Sequence, residues 1–355
     1  MEAKLSFNFK TNQEILKIIG SIDGFQGKWN QIGGKESRYL NELRLIATIE
    51  SIGSSTRIEG SKMSNEEVED FINAIKITSF KSRDEQEVFG YYDTLNLILD
   101  SYESIEISAN HIHQLHKTLL SKSKKDYRHR GKYKTLSNKV VANYPDGSQK
   151  VIFNTTEIHL VPTEMKTIIE WTNNAINNEE IHPLIAIALF IYEFLSIHPY
   201  QDGNGRLSRL LTTLLLLKSD YDFVKYASVE YEIEKQKKDY YKALMAGQKN
   251  RYSKKEKIDK WILFFLNSLK RTILKLEQNY REIKDKKSYL NQRQTLALNF
   301  IKENEPIKIS DLTKSLKEFT PYILKKDIRY LVDEGMIKKI GKGKATTYIL
   351  NQMKN

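Results

Sequence analysis

The sequence predicts a mainly α-helical protein with one small β-hairpin in its middle, followed by a C-terminal winged helix-turn-helix. Three observations predict this. Glycine (16) and proline (6) are scarce in 355 residues, too few for the many tight turns of a sandwich or barrel. Apolar residues recur at three- and four-residue spacing over most of the chain. Only 131–162 and the last twenty residues break that rhythm, the first around the turn signal Pro145-Asp146-Gly147.

Taken in order, residues 37–58 carry Leu40, Leu43, Leu45, Ile46, Ile49 and Ile52 at helical spacing. Gly53, Ser54 and Ser55 predict a weakening of that helix and a second short turn to Gly60. Ser64-Asn65-Glu66-Glu67 reads as a cap with early carboxylates, opening a helix over 64–78. A helix over 84–104 follows, then one from Ser108 to Leu120 and a basic loop from Lys122 to Arg130. Beyond the hairpin, helices are predicted over 163–178, 183–196, 207–218, 231–246 and 255–285. From Asn291 the order is helix (291–302), helix (309–316), helix (322–334), strand, Gly341-Lys342-Gly343-Lys344, strand, which is the order of a winged helix-turn-helix. Lys286-Lys287 marks the boundary. The chain is thus divided into an N-terminal helical region (1–105), a core with supporting helices (106–285) and the C-terminal module (286–355).

Composition narrows the function. There is no cysteine, which excludes a disulfide framework and thiolate chemistry and fits a reducing, cytoplasmic setting. The first ten residues lack a basic cap followed by an apolar run. The longest apolar stretches, 183–195 and 210–217, fall short of the roughly 20 residues that span a bilayer, so no membrane partner is expected. The net charge is +12, and residues 286–355 hold 15 Lys/Arg against 7 Asp/Glu, which points to an anionic partner there.

Residues 198–209 concentrate chemistry. Gly203-Asn204-Gly205 stands directly before a helix, so backbone N–H groups and the positive helix end form a nest for phosphate. Arg206 and Arg209 share a helix face and offer guanidinium forks to phosphate oxygens. Asp202 at the rim suits a Mg²⁺ or Mn²⁺ ion shared with phosphate. His198 titrates close to neutral pH and can take a proton from an attacking hydroxyl. Together these groups fit attack on a phosphoryl centre.

The run His-Pro-Tyr-Gln-Asp-Gly-Asn-Gly-Arg-Leu-Ser-Arg at 198–209 resembles the Fic signature, His-Pro-Phe-x-[Asp/Glu]-Gly-Asn-Gly-Arg-x-x-Arg. Its one departure is Tyr200, where an aromatic is kept. The resemblance extends over about residues 40–250 and implies a Fic helical core acting as a protein adenylyltransferase, with ATP as the AMP donor. It implies that His198 deprotonates a Ser, Thr or Tyr hydroxyl of a target protein and that Asp202 holds the metal on the α- and β-phosphates. Gly203, Asn204, Gly205 and Arg206 would bind phosphates and Arg209 the γ-phosphate. The hairpin, at about 150–162, would be a flap aligning the target by strand addition. A homodimer is a further expectation.

A second run, Ser55-Thr56-Arg57-Ile58-Glu59-Gly60, resembles the family's inhibitory motif, [Ser/Thr]-x-x-x-Glu-[Gly/Asn]. A carboxylate at Glu59 paired with Arg209 would occupy the γ-phosphate position. Ser55, Glu59 and Gly60 are therefore expected to form a brake. Other residues are read more plainly. His111, His113 and His116 read as packing histidines rather than a metal cluster, because 111 leaves the face shared by the other two. Tyr240 and Tyr241 read either as adenine-side aromatics or as packing, and Glu193 has no assigned role. Lys325, Lys326 and Arg329, with Lys338, Lys339, Lys342 and Lys344, could contact nucleic-acid phosphates or serve a protein partner. Two other functional classes stay open: a Fic-type enzyme that moves another phosphate-containing group or removes AMP, and a nucleotide-sensing DNA-binding regulator.

Overall fold

The computed structural model describes residues 7, 9, 12–32, 37–74, 80, 82–143, 149–287, 292–341 and 343–351. The chain divides into two compact units, Met1–Tyr280 and Arg281–Asn355. The first begins with α1 (Gln13–Ile32), α2 (Ser37–Ile58), α3 (Asn65–Asn73), α4 (Arg83–Ser101) and α5 (Ala109–Leu119). The hairpin strands β1 (Lys139–Asn143) and β2 (Gln149–Asn154) follow, then α6 (Val161–Asn177), α7 (Pro183–Ile197) and α8 (Asn204–Lys218). It closes with α9 (Val229–Lys235), α10 (Lys237–Gln248) and α11 (Asp259–Lys287), the last running into the second unit.

α7 and α8 form the centre. From Leu184 to Ile197 every side chain of α7 is buried, and so is α8 from Arg206 to Leu217. A helix apolar on all sides must be surrounded, and α6 packs on α7 while α2, α4 and α5 pack on α8. Each fully buried Leu, Ile or Phe removes roughly 1.5–3 kcal/mol worth of apolar surface from water. His182 and Pro183 start α7, with the His182 ring accepting the Leu184 N–H and proline filling the first helical position. Capping hydroxyls start α3, α4, α5 and α9: Ser64, Ser82, Ser108 and Ser228 each accept a first-turn N–H.

Several elements differ from the sequence expectation. α2 runs unbroken to Ile58, because packing overrides the weak propensity of its last two turns. Gly53, Ser54, Ser55 and Thr56 are all buried, and a β-carbon at Gly53 would collide with Arg57 and Asn65. α8 starts at Asn204, three residues earlier than expected, and 231–246 is two helices parted at Gln236. α1 had no counterpart. The hairpin occupies 139–154 rather than 150–162. Ile158–Leu160 is a 3-10 turn, and α6 follows because Pro162 in its first turn is preset for helix. β1 and β2 pair antiparallel, with a register shift between Val140 and Val141. The expected turn Pro145-Asp146-Gly147, the helix end at 75–78 and Lys342 lie outside the described residues.

The second unit holds α12 (Gln292–Asn304), α13 (Ile309–Ser315), α14 (Pro321–Asp333) and the antiparallel strands β3 (Ile337–Ile340) and β4 (Thr347–Leu350). Ala297, Ile301, Leu312, Leu324, Ile328 and Leu331 form its core with Ile307 and Ile337. Thr320 caps α14 ahead of Pro321, and Arg293 pairs with the buried Asp327. No helix among the described residues is long and apolar enough to cross a membrane.

Candidate active site

The link from α7 to α8 bends through two left-handed residues, His198 (φ 51°) and Gly203 (φ 80°). Glycine adopts this freely, whereas a residue with a β-carbon gives up roughly 1–2 kcal/mol. The loop holds the strained histidine through its own side chains. Asn204, 2% exposed, accepts the Tyr200 N–H at 2.9 Å and donates to the Tyr200 carbonyl at 2.7 Å. Its carboxamide is thereby spent on the loop. The buried Tyr200 ring stacks on His116 at 3.8 Å, and its hydroxyl lies 2.8 Å from His113 Nδ1. The extra oxygen at the position where the family pattern has phenylalanine thus has a partner.

His116 pins the loop from below. The Gly131 N–H donates to its Nδ1 at 2.8 Å, so the proton sits on Nε2, which donates to the Asp202 carbonyl at 2.9 Å. That arrangement requires a neutral ring, and burial pushes its pKa down to about 4. His111 stays at the start of α5, 3.0 Å from Ser108 Oγ. His113 and His116 brace the loop at Tyr200 and Asp202, and His111 stands beside the cap of α5. Among the described residues no group of three or more His, Asp or Glu is placed to hold a metal.

His198, Asp202, Gly203, Asn204, Gly205 and Glu59 line one cavity, with Leu195, Leu244, Tyr240 and Tyr241. It measures about 190 Å³, below the roughly 300–1,000 Å³ of ordinary ligand pockets, with the Glu59 side chain inside its wall. The His198 Nδ1 lies 3.3 Å from the Leu195 carbonyl, which only accepts, so Nδ1 carries the proton and Nε2 is the basic nitrogen. Burial lowers its pKa to about 4, with Lys134 adding to the effect. The ring is therefore neutral at physiological pH.

Asp202 faces three cations. Its Oδ1 accepts from the Gly203 N–H at 2.6 Å and from Arg206 Nη2 at 3.2 Å, and Oδ2 lies 3.5 Å from Lys125 and 3.7 Å from Arg83. Burial pushes its pKa up, but Arg206, the Gly203 N–H and the other cations outweigh it and hold the carboxyl below its usual range. Arg206, 2% exposed, also lies 3.5 Å from Glu87. Its Nε and Nη1 find no hydrogen-bond partner among the described residues. Nη1 still faces the Glu87 carboxylate as an ion pair, so Nε is the buried donor left without a partner, at a cost of about 1–3 kcal/mol.

Arg209, 3% exposed, is held by α2. Nε donates to Ser55 Oγ at 2.8 Å, and Nη2 donates to the Ser55 carbonyl at 2.9 Å and to Glu59 Oε1 at 2.8 Å. Burial alone would raise the Glu59 pKa, but Arg209 brings it below the ordinary value, so the pair is ionised. Gly60 ends the segment at φ 111°. A β-carbon at Gly205 would overlap the Glu59 carboxylate. Neither arginine is among the cavity-lining residues; the two carboxylates that are, Asp202 and Glu59, each hold one.

All the site residues read from the sequence are thus brought together, across 150 residues between Glu59 and Arg209. Several neighbours were not foreseen. Arg57 binds Glu234 through Nε (2.7 Å) and Nη2 (2.9 Å), and Lys237 Nζ donates to the last α2 carbonyl, Ile58, at 2.7 Å. Glu193 meets Arg251 at 2.6 Å, which also meets Glu164 at 2.9 Å. Only Glu193 carried a signal, a lone acid in an apolar run that needs a buried cation.

Residues 106–216 match the Fic/DOC family model. The chain is 25% identical over 209 residues to the Caenorhabditis elegans protein adenylyltransferase fic-1 and 28% identical over 184 residues to the Drosophila melanogaster protein adenylyltransferase Fic. These matches cover 58% and 51% of this chain, but only 38% and 35% of those proteins. A crystal structure of a Fic family protein from Desulfovibrio desulfuricans superposes with a TM-score of 0.64 at 19% identity, covering 99% of this chain and 100% of that one. The C. elegans Fic-1 structure gives 0.55 at 20% identity, over 77% and 73%.

Proposed function

Because residues 106–216 of this chain are a Fic/DOC family domain, we propose that it transfers AMP from ATP to a hydroxyl of a protein, and that Glu59 holds this activity in check. The observation that carries the proposal is the single cavity in which a neutral His198 and the 203–205 backbone face each other while Glu59 ties up Arg209. His198 Nε2 accepts the target hydroxyl's proton as its oxygen attacks the α-phosphorus, and pyrophosphate leaves. The N–H groups opening α8 and the Arg206 guanidinium take phosphate oxygens. Arg209 takes the γ-phosphate once Glu59 withdraws, and Tyr240, Tyr241 and Leu244 supply the apolar wall for the base.

Asp202 alone, ringed by Arg206, Lys125 and Arg83, is a poor site for a free cation. It fits Mg²⁺ or Mn²⁺ when phosphate oxygens arrive to complete the ligand set. The metal then supplies charge neutralisation on the polyphosphate. The hairpin offers a strand edge to the target, and the expected homodimer is read by light scattering. α12–α14 with β3 and β4 are a winged helix-turn-helix in this reading, with 1–105 regulatory and 106–285 catalytic.

The decisive experiment is mass spectrometry of the Glu59→Gly protein after incubation with Mg²⁺ and ATP. It gains one AMP unit at a rate about 10- to 100-fold above wild type, since a charge-assisted hydrogen bond worth about 1.5–3 kcal/mol no longer opposes the nucleotide. Adding His198→Ala abolishes the gain. Label carried from the γ- rather than the α-phosphate would overturn the reaction type.

A further inference from the structure

Both feet of the hairpin meet at one buried lysine. Lys134 is 2% exposed and lies ahead of β1. Its Nζ donates to Asn138 Oδ1 at 2.9 Å, to Thr155 Oγ1 at 2.7 Å and to the Ile197 carbonyl at 3.2 Å. Asn138 immediately precedes β1, Thr155 immediately follows β2, and Ile197 immediately precedes His198. The Lys134 backbone N–H donates to the Pro199 carbonyl at 2.8 Å, on the other side of His198. Asn138 Nδ2 carries the network on to the Tyr200 carbonyl at 2.9 Å. All three hydrogens of one ammonium are thus committed to the hairpin feet and the carbonyl just before the histidine.

These partners are an amide, a hydroxyl and a carbonyl, so the ammonium is buried with no carboxylate among its hydrogen-bond acceptors. Glu164, the acid whose charge it feels, is held by Arg251 and by the Thr156 hydroxyl. Burial pushes the lysine's pKa down to about 8. A methionine would fill the same space without that desolvation cost. What the charge supplies instead is a three-way junction that apolar packing cannot make.

We propose that Lys134 is a positioning residue that bolts both feet of the hairpin to the backbone on either side of His198, fixing where a docked hydroxyl meets the imidazole. The proposal rests on the adenylyl-transfer reading above. Lys134 does not line the cavity, so it governs alignment of the target rather than nucleotide binding.

The test uses the full chain with Glu59→Gly as parent, adding Lys134→Met or the near-isosteric Thr155→Val. Self-labelling from α-labelled ATP and ATP affinity by calorimetry with Mg²⁺ are measured separately. A small misalignment lowers turnover without touching ground-state nucleotide binding. We expect Lys134→Met to slow labelling about 30-fold or more and Thr155→Val about 3- to 10-fold, each with ATP affinity within about twofold of the parent. Hydrogen exchange should accelerate at 138–156 and 197–201 and nowhere else. Labelling within about twofold of the parent in both variants, a parallel loss of ATP affinity, or unchanged exchange in those two segments would overturn the proposal. A parent that binds ATP but takes up no label refutes adenylyl transfer instead, and the exchange pattern still decides the role of Lys134.

Discussion

Gly205 and Glu59 compete for the same few cubic ångströms, which makes two ways of dislodging the carboxylate unequal. Removing the Glu59 side chain leaves the ground beside Arg209 empty. Gly205→Ala also forces Glu59 to move, because its β-carbon would overlap the carboxylate, but puts a methyl where the proposed reaction needs room for phosphate. Position 205 is helical, so alanine is tolerated by the backbone. Transfer by Gly205→Ala in the Glu59→Gly background is expected to fall about tenfold or more, read by the same mass spectrometry. His116 makes a second prediction. Its folded pKa of about 4 lies below the roughly 6.5 of an unfolded histidine. The unfolded chain therefore protonates first on acidification. The contribution is complete above about pH 6.5 and is lost as pH falls toward 4, up to about 3 kcal/mol. Denaturant titrations at pH 7, 5.5 and 4.5 should show the loss, and His116→Gln should remove part of it, the remainder including His198, whose pKa is lowered to a similar value.

At the scale of elements, α2 is a lever held at its tip. Arg57–Glu234 and Lys237 on the Ile58 carbonyl fasten its last turn to α9 and α10, next to the Tyr240 wall of the cavity. The Arg57–Glu234 pair is only partly buried, so about 1 kcal/mol is the reasonable scale. Glu234→Ala should raise basal labelling by about fivefold, with Glu59 untouched and ATP affinity measured alongside. The same element shows where the sequence was legible and where it was not. The helical face of 37–52 was plain from spacing, as were α5 from Ser108, α7 from its apolar run and the order of the last five elements. The weakening read at Gly53-Ser54-Ser55 did not occur, because small residues serve close packing there and tertiary contact outweighs propensity. The candidate site at 198–209 was legible as a cluster because its histidine, carboxylate, glycines and arginines are local in the chain. The bracing groups were not. Lys134 with Ile197 and Arg57 with Glu234 join residues 63 and 177 apart, and no single-sequence signal ties such pairs together.

For the molecule as a whole, charge is divided as the sequence suggested. In the second unit α14 exposes Tyr322, Lys325, Lys326 and Arg329, and β3 exposes Lys338 and Lys339. If these groups meet nucleic-acid phosphates, a mobility-shift titration with duplex DNA should show binding that weakens steeply between about 50 and 200 mM salt. Lys325→Ala with Arg329→Ala should flatten the slope, and binding indifferent to salt would exclude this surface. The first unit places its restraint early in the chain, and that order has a consequence in time. A ribosome adds about 5–20 residues each second. Glu59 is therefore synthesised before the Arg209 it clasps, 150 positions later, by roughly eight to thirty seconds. On the proposed reading the guard is made before the gate, so a newborn chain has no interval in which a finished nucleotide site awaits the carboxylate that closes it.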